Sequence, residues 1–376
     1  MNNELPQTLL SYDNIVLICN NNQNVNIKIN KVLNDTLNEL KIEINSFDDL
    51  WDVYKKYTNP YEYIHSNYTN KSLCKLKPLS RSFYKMIEII NCYKLNKMFD
   101  TKNINTFHLA EGPGGFIEAL VYFRNNKNDK YYGMTLVNSD KNVPGWKKST
   151  HFLNNNKNVF IEKGLDDTGD LLVQKNLEYC HLKYKGSMDL ITGDGGFDFS
   201  IDFNKQETLS LKLIYAQICY ALIMQKYGGT FVLKIFDIFT EPTIDFLYLL
   251  SSLYKNVFIM KPETSRIANS EKYIICKGYK INDDKELYKT IISSYSNVIN
   301  NDYIHRILNI KIPNYFLNKI EEINTLLGQY QMENISCTFT LIKSNNLTKI
   351  ENYKKNNLNK CVKWCSKHNL PINKFN

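Results

Sequence analysis

The sequence predicts an α/β protein with a seven-stranded, mostly parallel sheet, helices on both faces and an extension at each end. Three observations lead to this fold class. Short apolar segments alternate with amphipathic helical segments, a glycine-rich turn joins the first strand to its helix, and the last two strands lack a helix between them. The 376 residues, of which 43% are hydrophobic, suffice for one large domain with flanking elements.

Seven short apolar segments are the strand candidates. In chain order they are Thr106–Ala110, Tyr131–Leu136, Asn158–Glu162, Met188–Thr192, Thr230–Lys234, Val257–Met260 and Lys272–Cys276. The link from Met260 to Tyr273 contains no helical pattern of useful length. We therefore expect the final strand to return as in a hairpin and to run antiparallel to its neighbours.

Helical periodicity separates most of these strands, notably at Gly115–Arg124, Leu209–Lys226 and Pro242–Leu253. Upstream of the first strand, the apolar spacing from Ser80 to Phe99 predicts one more helix. Helices that connect successive parallel strands cover both faces of a sheet, so the strands between them should be buried.

The two ends of the chain lack this alternation. Residues up to about Leu79 look irregular, apart from a β-hairpin that the pattern favours between Asn14 and Asn30. After about Lys280 the sequence looks mostly helical and polar, and it ends in a basic, Asn-rich segment. We predict an N-terminal extension (1–78) with substrate-binding elements, a central domain (79–280) and a basic C-terminal extension (281–376).

Composition limits the functional class only loosely. The formal net charge of +9 suits a polyanionic partner such as RNA, although many proteins without such a partner carry as much. The nine cysteines form no CxxC pair, and the N-terminus lacks the basic and apolar regions of a secretory signal. We expect a reducing intracellular compartment, cytoplasm or nucleus. No apolar stretch approaches the roughly 20 residues of a membrane helix, so we expect no membrane partner.

The segment His108-Leu-Ala-Glu-Gly-Pro-Gly-Gly-Phe116 follows the first strand and opens a helix. Glycines there allow a tight turn and a close approach of the backbone to a ligand, and amides at the helix N-terminus can bind an anion. No Gly-Lys-Ser/Thr follows, which excludes a P-loop, and the glycine spacing departs from the GxGxxG dinucleotide-binding frame. Taken alone, the motif could equally be an ordinary strand-to-helix turn.

Three ionisable residues lie at strand ends on one predicted edge of the sheet. Asp194 follows the fourth strand, Lys234 ends the fifth, and Glu271 precedes the antiparallel last strand. The helix upstream of the first strand could bring Lys85 over the same edge. Singly, Lys85 is more often a solvated helix residue and Glu271 a surface ion pair, whereas Lys234 caps an apolar strand where a charge is costly.

Two amines and two carboxylates at one place suit methyl transfer to a hydroxyl group. A ribose 2′-OH is a weak nucleophile that must share or lose its proton, and a nearby amine can be poised by burial and neighbouring charges to accept it. A methyl group on a sulfonium is already activated, so alignment and proton removal remain as the protein's tasks, and no metal is required.

Four segments resemble one known family. They are Asp189-Leu-Ile-Thr-Gly-Asp-Gly-Gly-Phe197, Gly228-Gly-Thr-Phe-Val-Leu-Lys-Ile-Phe-Asp-Ile-Phe-Thr240, Lys261-Pro-Glu-Thr-Ser-Arg-Ile-Ala-Asn-Ser-Glu271 and Arg81-Ser-Phe-Tyr-Lys-Met86. Together they resemble the FtsJ-like ribose 2′-O-methyltransferases, and most of all the mRNA cap-1 methyltransferases of eukaryotes and large DNA viruses. The resemblance covers about Leu79 to Tyr279 and implies a Rossmann-like S-adenosylmethionine-dependent methyltransferase sheet.

The resemblance also implies site residues. The catalytic tetrad would be Lys85, Asp194, Lys234 and Glu271, with Lys234 next to the 2′-OH. The residues that contact S-adenosylmethionine would be Glu111, Gly112, Pro113, Gly114, Gly115, Phe116, Asp194 and, near adenine, Asp170, with Asp166 and Asp167 as rivals for this last role. The residues that face RNA would be Arg81, Ser265, Arg266, Asn269 and Ser270.

The function implied is methylation of the 2′-OH of the first transcribed nucleotide of capped mRNA, with S-adenosylhomocysteine as product. Capped RNA is the expected partner, together with other capping or transcription proteins, and for a viral protein the expected location is host cytoplasm or virion. The alternatives are a ribosomal RNA or second-nucleotide 2′-O-methyltransferase, and an inactive RNA-binding scaffold. The tetrad residues argue against the scaffold, because an inactive copy would be free to lose them.

Two further patterns favour core packing over a functional role. The tyrosines from Tyr54 to Tyr68, Trp146 and Phe197 could stack on a cap guanine, but each is more often a core residue. Cys361, Cys365 and His368 share one helix face, which is more typical of a half-buried amphipathic face than of a zinc site without a fourth ligand.

Overall fold

A computed structural model describes residues 3–66, 72–95, 102–137, 145–196 and 203–373 of the chain. Its strands are β1 (Ile15–Asn20), β2 (Asn105–Leu109), β3 (Lys130–Met134), β4 (Val159–Glu162), β5 (Met188–Gly193), β6 (Gln225–Ile235), β7 (Tyr254–Met260), β8 (Lys272–Tyr279) and β9 (Tyr303–Leu308). Its helices are α1 (Lys31–Ile44), α2 (Asp48–Thr58), α3 (Ser82–Cys92), α4 (Gly115–Arg124), α5 (Thr150–Asn155), α6 (Gln174–Tyr184), α7 (Gln206–Met224), α8 (Glu241–Leu253), α9 (Lys285–Asn300), α10 (Asn314–Ser344) and α11 (Leu347–Lys367).

The central sheet has seven strands in the order β4-β3-β2-β5-β6-β8-β7. Neighbouring strands from β4 to β6 run parallel, whereas β8 runs antiparallel to both β6 and β7. All seven predicted strands are present, and the predicted reversal of the last strand is confirmed. This Rossmann-like arrangement brings the carboxyl ends of β2, β5 and β6 and the start of β8 to the same edge.

Local sequence explains where the helices of this sheet begin and end. Helix α4 starts after Gly114, whose φ of 103° suits glycine, and stops at Asn125 in the left-handed region. Helix α8 has a proline in its first turn, and Pro313 precedes α10. The predicted helix from Ser80 to Phe99 is observed as α3, and residues 96–101 lie outside the described part of the chain.

The N-terminal extension is more ordered than its sequence predicts, whereas the C-terminal extension is mostly helical, as expected, apart from β9. Helices α1 and α2 occupy the N-terminal stretch that we expected to be irregular. The predicted hairpin between Asn14 and Asn30 is wrong, because β1 pairs antiparallel with β9, while Ile27 forms a bridge with Thr240. The partner of β1 lies almost three hundred residues away in sequence, so no local pattern could indicate it.

Two large apolar cores lie on the two faces of the sheet. Residues of the extensions take part in both, since Leu5 and Phe316 belong to one and Trp364 to the other. By length and composition α7 could cross a membrane, which our reading of the sequence did not foresee, yet 78% of its most apolar window is buried inside the protein. It is an interior helix of the first core.

Candidate active site

Strand register brings the predicted ionisable residues together. Lys234 lies opposite Tyr273 in the β6–β8 ladder, so Glu271, the residue before β8, comes next to the end of β6. Lys85, which lies on α3, places its Nζ 2.7 Å from Glu271 Oε1. Lys234 Nζ lies 3.3 Å from Asp194 Oδ1 and donates to the Asp194 carbonyl oxygen at 2.7 Å. The edge therefore carries two neighbouring ammonium–carboxylate pairs.

All four side chains of these pairs are 10–15% exposed. Burial tends to raise the pKa of Glu271, but the charges of Lys85 and Lys234 and a hydrogen bond from Ser265 lower it to about 2. Glu271 is thus ionised throughout the physiological range. Removal of one partner would leave the other charge without compensation. Because that charge is poorly solvated, the loss costs about 3–5 kcal/mol of stability in such pairs.

Tyr273 belongs to the same cluster, although the sequence did not single it out. Its hydroxyl donates to Asp194 Oδ1 at 2.8 Å. Burial and the charges of Asp194 and Glu271 raise its pKa well above 10, so the group remains a hydrogen-bond donor. A sequence signal existed, because residues two apart in a strand share a face and Tyr273 follows Glu271 by two.

A second residue that sequence reasoning missed is Lys261, which directly follows β7. Its Nζ donates to the carbonyl oxygens of Asn269 at 2.6 Å and Glu271 at 3.1 Å, and to Asn269 Oδ1 at 2.8 Å. Burial and the charge of Lys272 lower its pKa to about 7. These bonds tie the first residue of the β7–β8 loop to its last, and so help to fix Glu271.

The glycine-rich loop lies beside this cluster, at the carboxyl end of β2. Ala110 and Gly114 have φ angles of 53° and 103°, which turn the chain sharply into α4. Buried Glu111 accepts from the Phe116 amide at 2.6 Å, so that amide is not one of the free amides we expected. Gly115 packs against Ser80 and Ser82, because a Cβ there would lie 2.2 Å or less from their hydroxyl oxygens.

Pro113 and Trp146 complete the surroundings of the loop. The Pro113 carbonyl accepts a hydrogen bond from Ser149, three residues after Trp146. A Cβ on Gly114 would lie 3.1 Å from the Trp146 ring, and a Cβ on Gly133 would lie 2.5 Å from it. Trp146 therefore packs on the loop and on β3, where the glycines leave room for its ring.

The acidic segment after β4 approaches the same edge. Gly169 packs against the end of β3, since a Cβ there would lie 2.1 Å from the Thr135 carbonyl oxygen. Half-buried Asp170 accepts from the Leu172 amide at 2.8 Å. Exposed Asp166 holds the turn by accepting from Thr168 and Asn176, whereas exposed Asp167 has a φ of 61°. The geometry thus gives Asp166 a structural task and leaves Asp170 beside β3.

The residues predicted to face RNA differ in their surroundings. Arg266 forms a two-point ion pair with buried Glu62, at 2.7 and 3.1 Å, and Arg81 donates to the Thr264 carbonyl. Asn269 is exposed. Buried Ser265 donates to Glu271 Oε1 at 2.8 Å, and buried Ser270 donates to Gln206 at 2.7 Å. These two serines therefore brace the loop from inside.

The remaining predictions concern stacking and metal residues. Tyr68 and Phe197 lie outside the described residues. Tyr63 is buried in the core, in line with the preference for packing. Cys361 and Cys365 are also buried there, beside Trp364. Among the residues that the structure describes, no group of three His, Cys, Asp or Glu side chains could hold a metal ion.

Comparison with known sequences decides the family. The sequence model of the FtsJ-like methyltransferases matches residues 78–279, more than half of the chain. The chain belongs to the FtsJ-like methyltransferase family. All four segments that resemble this family lie within the matched residues.

Two relatives show which proteins this FtsJ-like chain resembles in sequence. The cap-specific mRNA (nucleoside-2′-O-)-methyltransferase 2 of Danio rerio is 30% identical over 337 residues, covering 81% of this chain and 42% of the relative. The cap-specific mRNA (nucleoside-2′-O-)-methyltransferase 1 of Trypanosoma brucei is 35% identical over 205 residues, covering 52% of this chain and 53% of the relative. This chain thus spans about half the length of these two relatives.

Among solved structures, a ribosomal RNA methyltransferase from Plasmodium falciparum matches with 20% identity and a TM-score of 0.37. The match covers 54% of this chain and 98% of that one.

The residues of this FtsJ-like chain fit S-adenosylmethionine. Burial and the charge of nearby Asp194 raise the pKa of Glu111 well above its usual value. Glu111 Oε2 is buried and has no hydrogen-bond partner among the described residues. A cation here would relieve the repulsion between the two carboxyl groups, and S-adenosylmethionine carries an ammonium and a sulfonium. The loop from Glu111 to Phe116, together with Asp194, would hold that end of the cofactor.

Proposed function

We propose that this chain is an S-adenosylmethionine-dependent RNA methyltransferase that modifies the ribose 2′-OH of the first transcribed nucleotide of capped mRNA. The observation that carries the proposal is the cluster of two largely buried ammonium–carboxylate pairs beside the glycine-rich loop. It offers a proton acceptor for a hydroxyl group next to a place suited to a cationic methyl donor. The names of the relatives, which describe cap-specific mRNA methyltransferases, support capped RNA as the substrate.

In the proposed reaction, bound S-adenosylmethionine supplies a methyl group that is already activated by a sulfonium. With its amine deprotonated, Lys234 would hold the 2′-OH and accept its proton as the methyl group passes from sulfur to oxygen, which leaves a protonated lysine and S-adenosylhomocysteine. Asp194 orients Lys234 through its carboxylate and its backbone carbonyl, and Tyr273 steadies that carboxylate. The negative charge of Glu271 balances the positive charge of Lys85, so that the site can contain two amines without a large net charge.

A second candidate is methylation of the second transcribed nucleotide. It is favoured by the extent of the alignments. Relatives named methyltransferase 2 from Danio rerio and Mus musculus align with 81% and 88% of this chain, whereas those named methyltransferase 1 from Trypanosoma brucei and Mus musculus align with 52% and 60%. Parts of the terminal extensions are thus shared with the first pair.

One assay separates these possibilities. Purified protein and methyl-labelled S-adenosylmethionine would be offered capped RNA, uncapped RNA, and capped RNA already methylated on its first ribose, and the labelled nucleotide would be mapped by nuclease digestion. We expect transfer to the first ribose of capped RNA alone. Equal transfer to uncapped RNA would refute cap dependence, and transfer to the premethylated RNA would support the second nucleotide. A wild type as inactive as Lys234→Ala would point to a scaffold.

A further inference from the structure

A long cleft runs along the outer edge of the sheet and plays no part in the proposed chemistry. It consists of two cavities of about 480 and 820 Å³. Both are lined by Lys261, Glu263, Leu327 and Tyr330. Because these residues border both cavities, the two form one continuous depression between β7, the end of α3 and helix α10.

The cleft reaches the wall of the candidate active site. Ser265 lines its inner end and donates to Glu271 Oε1 at 2.8 Å. Lys261 lines both cavities and donates to the Glu271 carbonyl at 3.1 Å. A polymer bound across the tetrad could therefore continue over the β7–β8 loop into the cleft.

The outer part of the cleft combines amines with aromatic rings. Lys94, Lys277 and Lys367 line it, and the described residues include no carboxylate paired with Lys94. The rings of Tyr93 and Phe258 lie 5.1 Å apart, and the Lys277 amine donates to the Tyr93 carbonyl at 3.0 Å. Basic groups that follow a phosphate backbone, interleaved with rings on which bases can stack, are typical of surfaces that bind single-stranded nucleic acid.

The carboxylates along the cleft are largely engaged by other groups. Glu88 is 2% exposed and accepts from the amides of Glu263 and Thr264. Glu263 lies 3.8 Å from Lys367, and Glu333 accepts from Gln329 at 2.9 Å. Tyr330, by contrast, is 48% exposed and offers its ring to the cleft. The lining therefore combines aromatic rings with four lysines and three glutamates, of which Glu88 is buried.

We infer that this cleft binds the single-stranded RNA that lies 3′ of the methylated ribose. The inference rests on the proposed function and extends it from the reacting nucleotide to the body of the transcript. A cap is one invariant group and suits a closed pocket with specific partners, whereas a transcript varies in sequence. An open cleft of amines and tyrosines suits the transcript, because stacking and phosphate contacts tolerate any base.

A direct binding experiment tests the inference. Fluorescein-labelled, uncapped single-stranded RNA would be titrated with wild type, with Lys94→Ala/Lys367→Ala and with Tyr330→Ala, and anisotropy would be recorded at several salt concentrations. The matched control is Lys285→Ala/Lys289→Ala, which removes the same charge from exposed positions on α9. Thermal unfolding of each variant would verify folding.

We expect each cleft variant to raise the Kd by on the order of tenfold, the usual scale for loss of a stacking or phosphate contact. The double lysine variant should also lower the slope of log Kd against log salt concentration by about 1.4, because each phosphate contact on a single strand contributes about 0.7 to that slope. The α9 control should bind like wild type. Unchanged binding by both cleft variants would overturn the inference and leave the cleft to another partner, such as a peptide.

A methylation series places the bound strand. With capped RNAs of increasing length, the cleft variants should raise KM for long substrates and leave the shortest capped substrate unaffected. An equal rise in KM for the shortest substrate would contradict a 3′ location. If wild type methylates no capped RNA, the proposed function fails, whereas the anisotropy result still decides whether the cleft binds RNA.

Discussion

The two halves of the candidate site are built in different ways. The half around the glycine-rich loop depends on backbone conformation, with positive φ angles at Ala110 and Gly114 and close packing of Trp146 on glycines. The half around the tetrad depends on charged side chains, in which Lys85 meets Glu271 from a position 186 residues away. The first half is formed by the backbone of a short segment. The second half is formed by oppositely charged side chains from segments that are distant in sequence.

The halves also differ in their connections to the extensions. In the charged half, buried Lys41 of α1 pairs with Asp237 at 2.8 Å, and Asp237 in turn contacts Lys272, the neighbour of Glu271. Arg266 is held by Glu62, and Gln331 of α10 donates to the Ala268 carbonyl at 3.0 Å. The two terminal extensions therefore help to position the residues of the charged half, where a substrate would be selected.

The largest expected effect is in the charged half. In Lys234→Met the proton acceptor is lost, and the methyl-transfer rate should fall by about 10²- to 10⁴-fold, the usual contribution of a general base. Affinity for S-adenosylmethionine, measured by calorimetry, should hardly change, because the glycine-rich loop is untouched. Single-turnover methylation of capped RNA would give the rate.

Lys226→Met provides the control for this substitution. Lys226 lies at the opposite end of β6, where its 49% exposed side chain pairs with Asp189. It should leave the rate unchanged. Equal losses of rate and cofactor affinity in Lys234→Met would show that the two halves do not act separately.

The next effect concerns pH. Glu88 lies one turn after Lys85 on α3, and burial together with the charge of Glu263 raises its pKa from 4.5 to about 7. An acid whose pKa rises on folding binds more protons in the folded state, so wild type should lose stability as pH rises from about 4.5 to 7. Glu88→Gln, which mimics the protonated acid, should remove this loss and be more stable by about 3 kcal/mol near pH 8.

Urea unfolding of wild type and Glu88→Gln at acidic and alkaline pH would measure the difference. Glu286→Gln, at an exposed position on α9, serves as control and should leave the pH profile as it is. Parallel stability curves for wild type and Glu88→Gln would mean that Glu88 is not responsible.

The smallest effect is expected in the backbone-built half. In Gly114→Ala an alanine must adopt a φ of 103°, and its Cβ would press on Trp146 at 3.1 Å. A left-handed residue costs about 1–2 kcal/mol, so cofactor affinity should fall by on the order of tenfold while RNA binding is retained. Gly145→Ala is the control, since its Cβ would meet nothing within 4 Å. A loss of RNA binding in Gly114→Ala would remove the contrast between the halves.

Much of the sheet was predictable because its strands are short, apolar and separated by helices with clear periodicity. The proximity of Lys85, Asp194, Lys234 and Glu271 also followed, once β8 was expected to be antiparallel and the family segments were recognised. Tyr273 could have been included from strand alternation alone.

Other features carry no local signal in the sequence. The pairing of Glu62 with Arg266 joins residues 204 apart, and it is determined only when the segment after α2 packs against the β7–β8 loop. The predicted hairpin after Asn14 failed for the same kind of reason. A strand pattern indicates that a segment is extended, but its partner is chosen by burial and tertiary packing.

The pairing of β1 with β9 has a consequence for synthesis of the chain. Ile15 leaves the ribosome almost three hundred residues before its partner Leu308. Until then the backbone groups of β1 are unpaired and its apolar side chains are exposed to solvent, a state that favours association with other chains. Contacts so distant in sequence also slow folding. The unpaired β1 segment of the nascent chain is therefore a natural place for a chaperone to act.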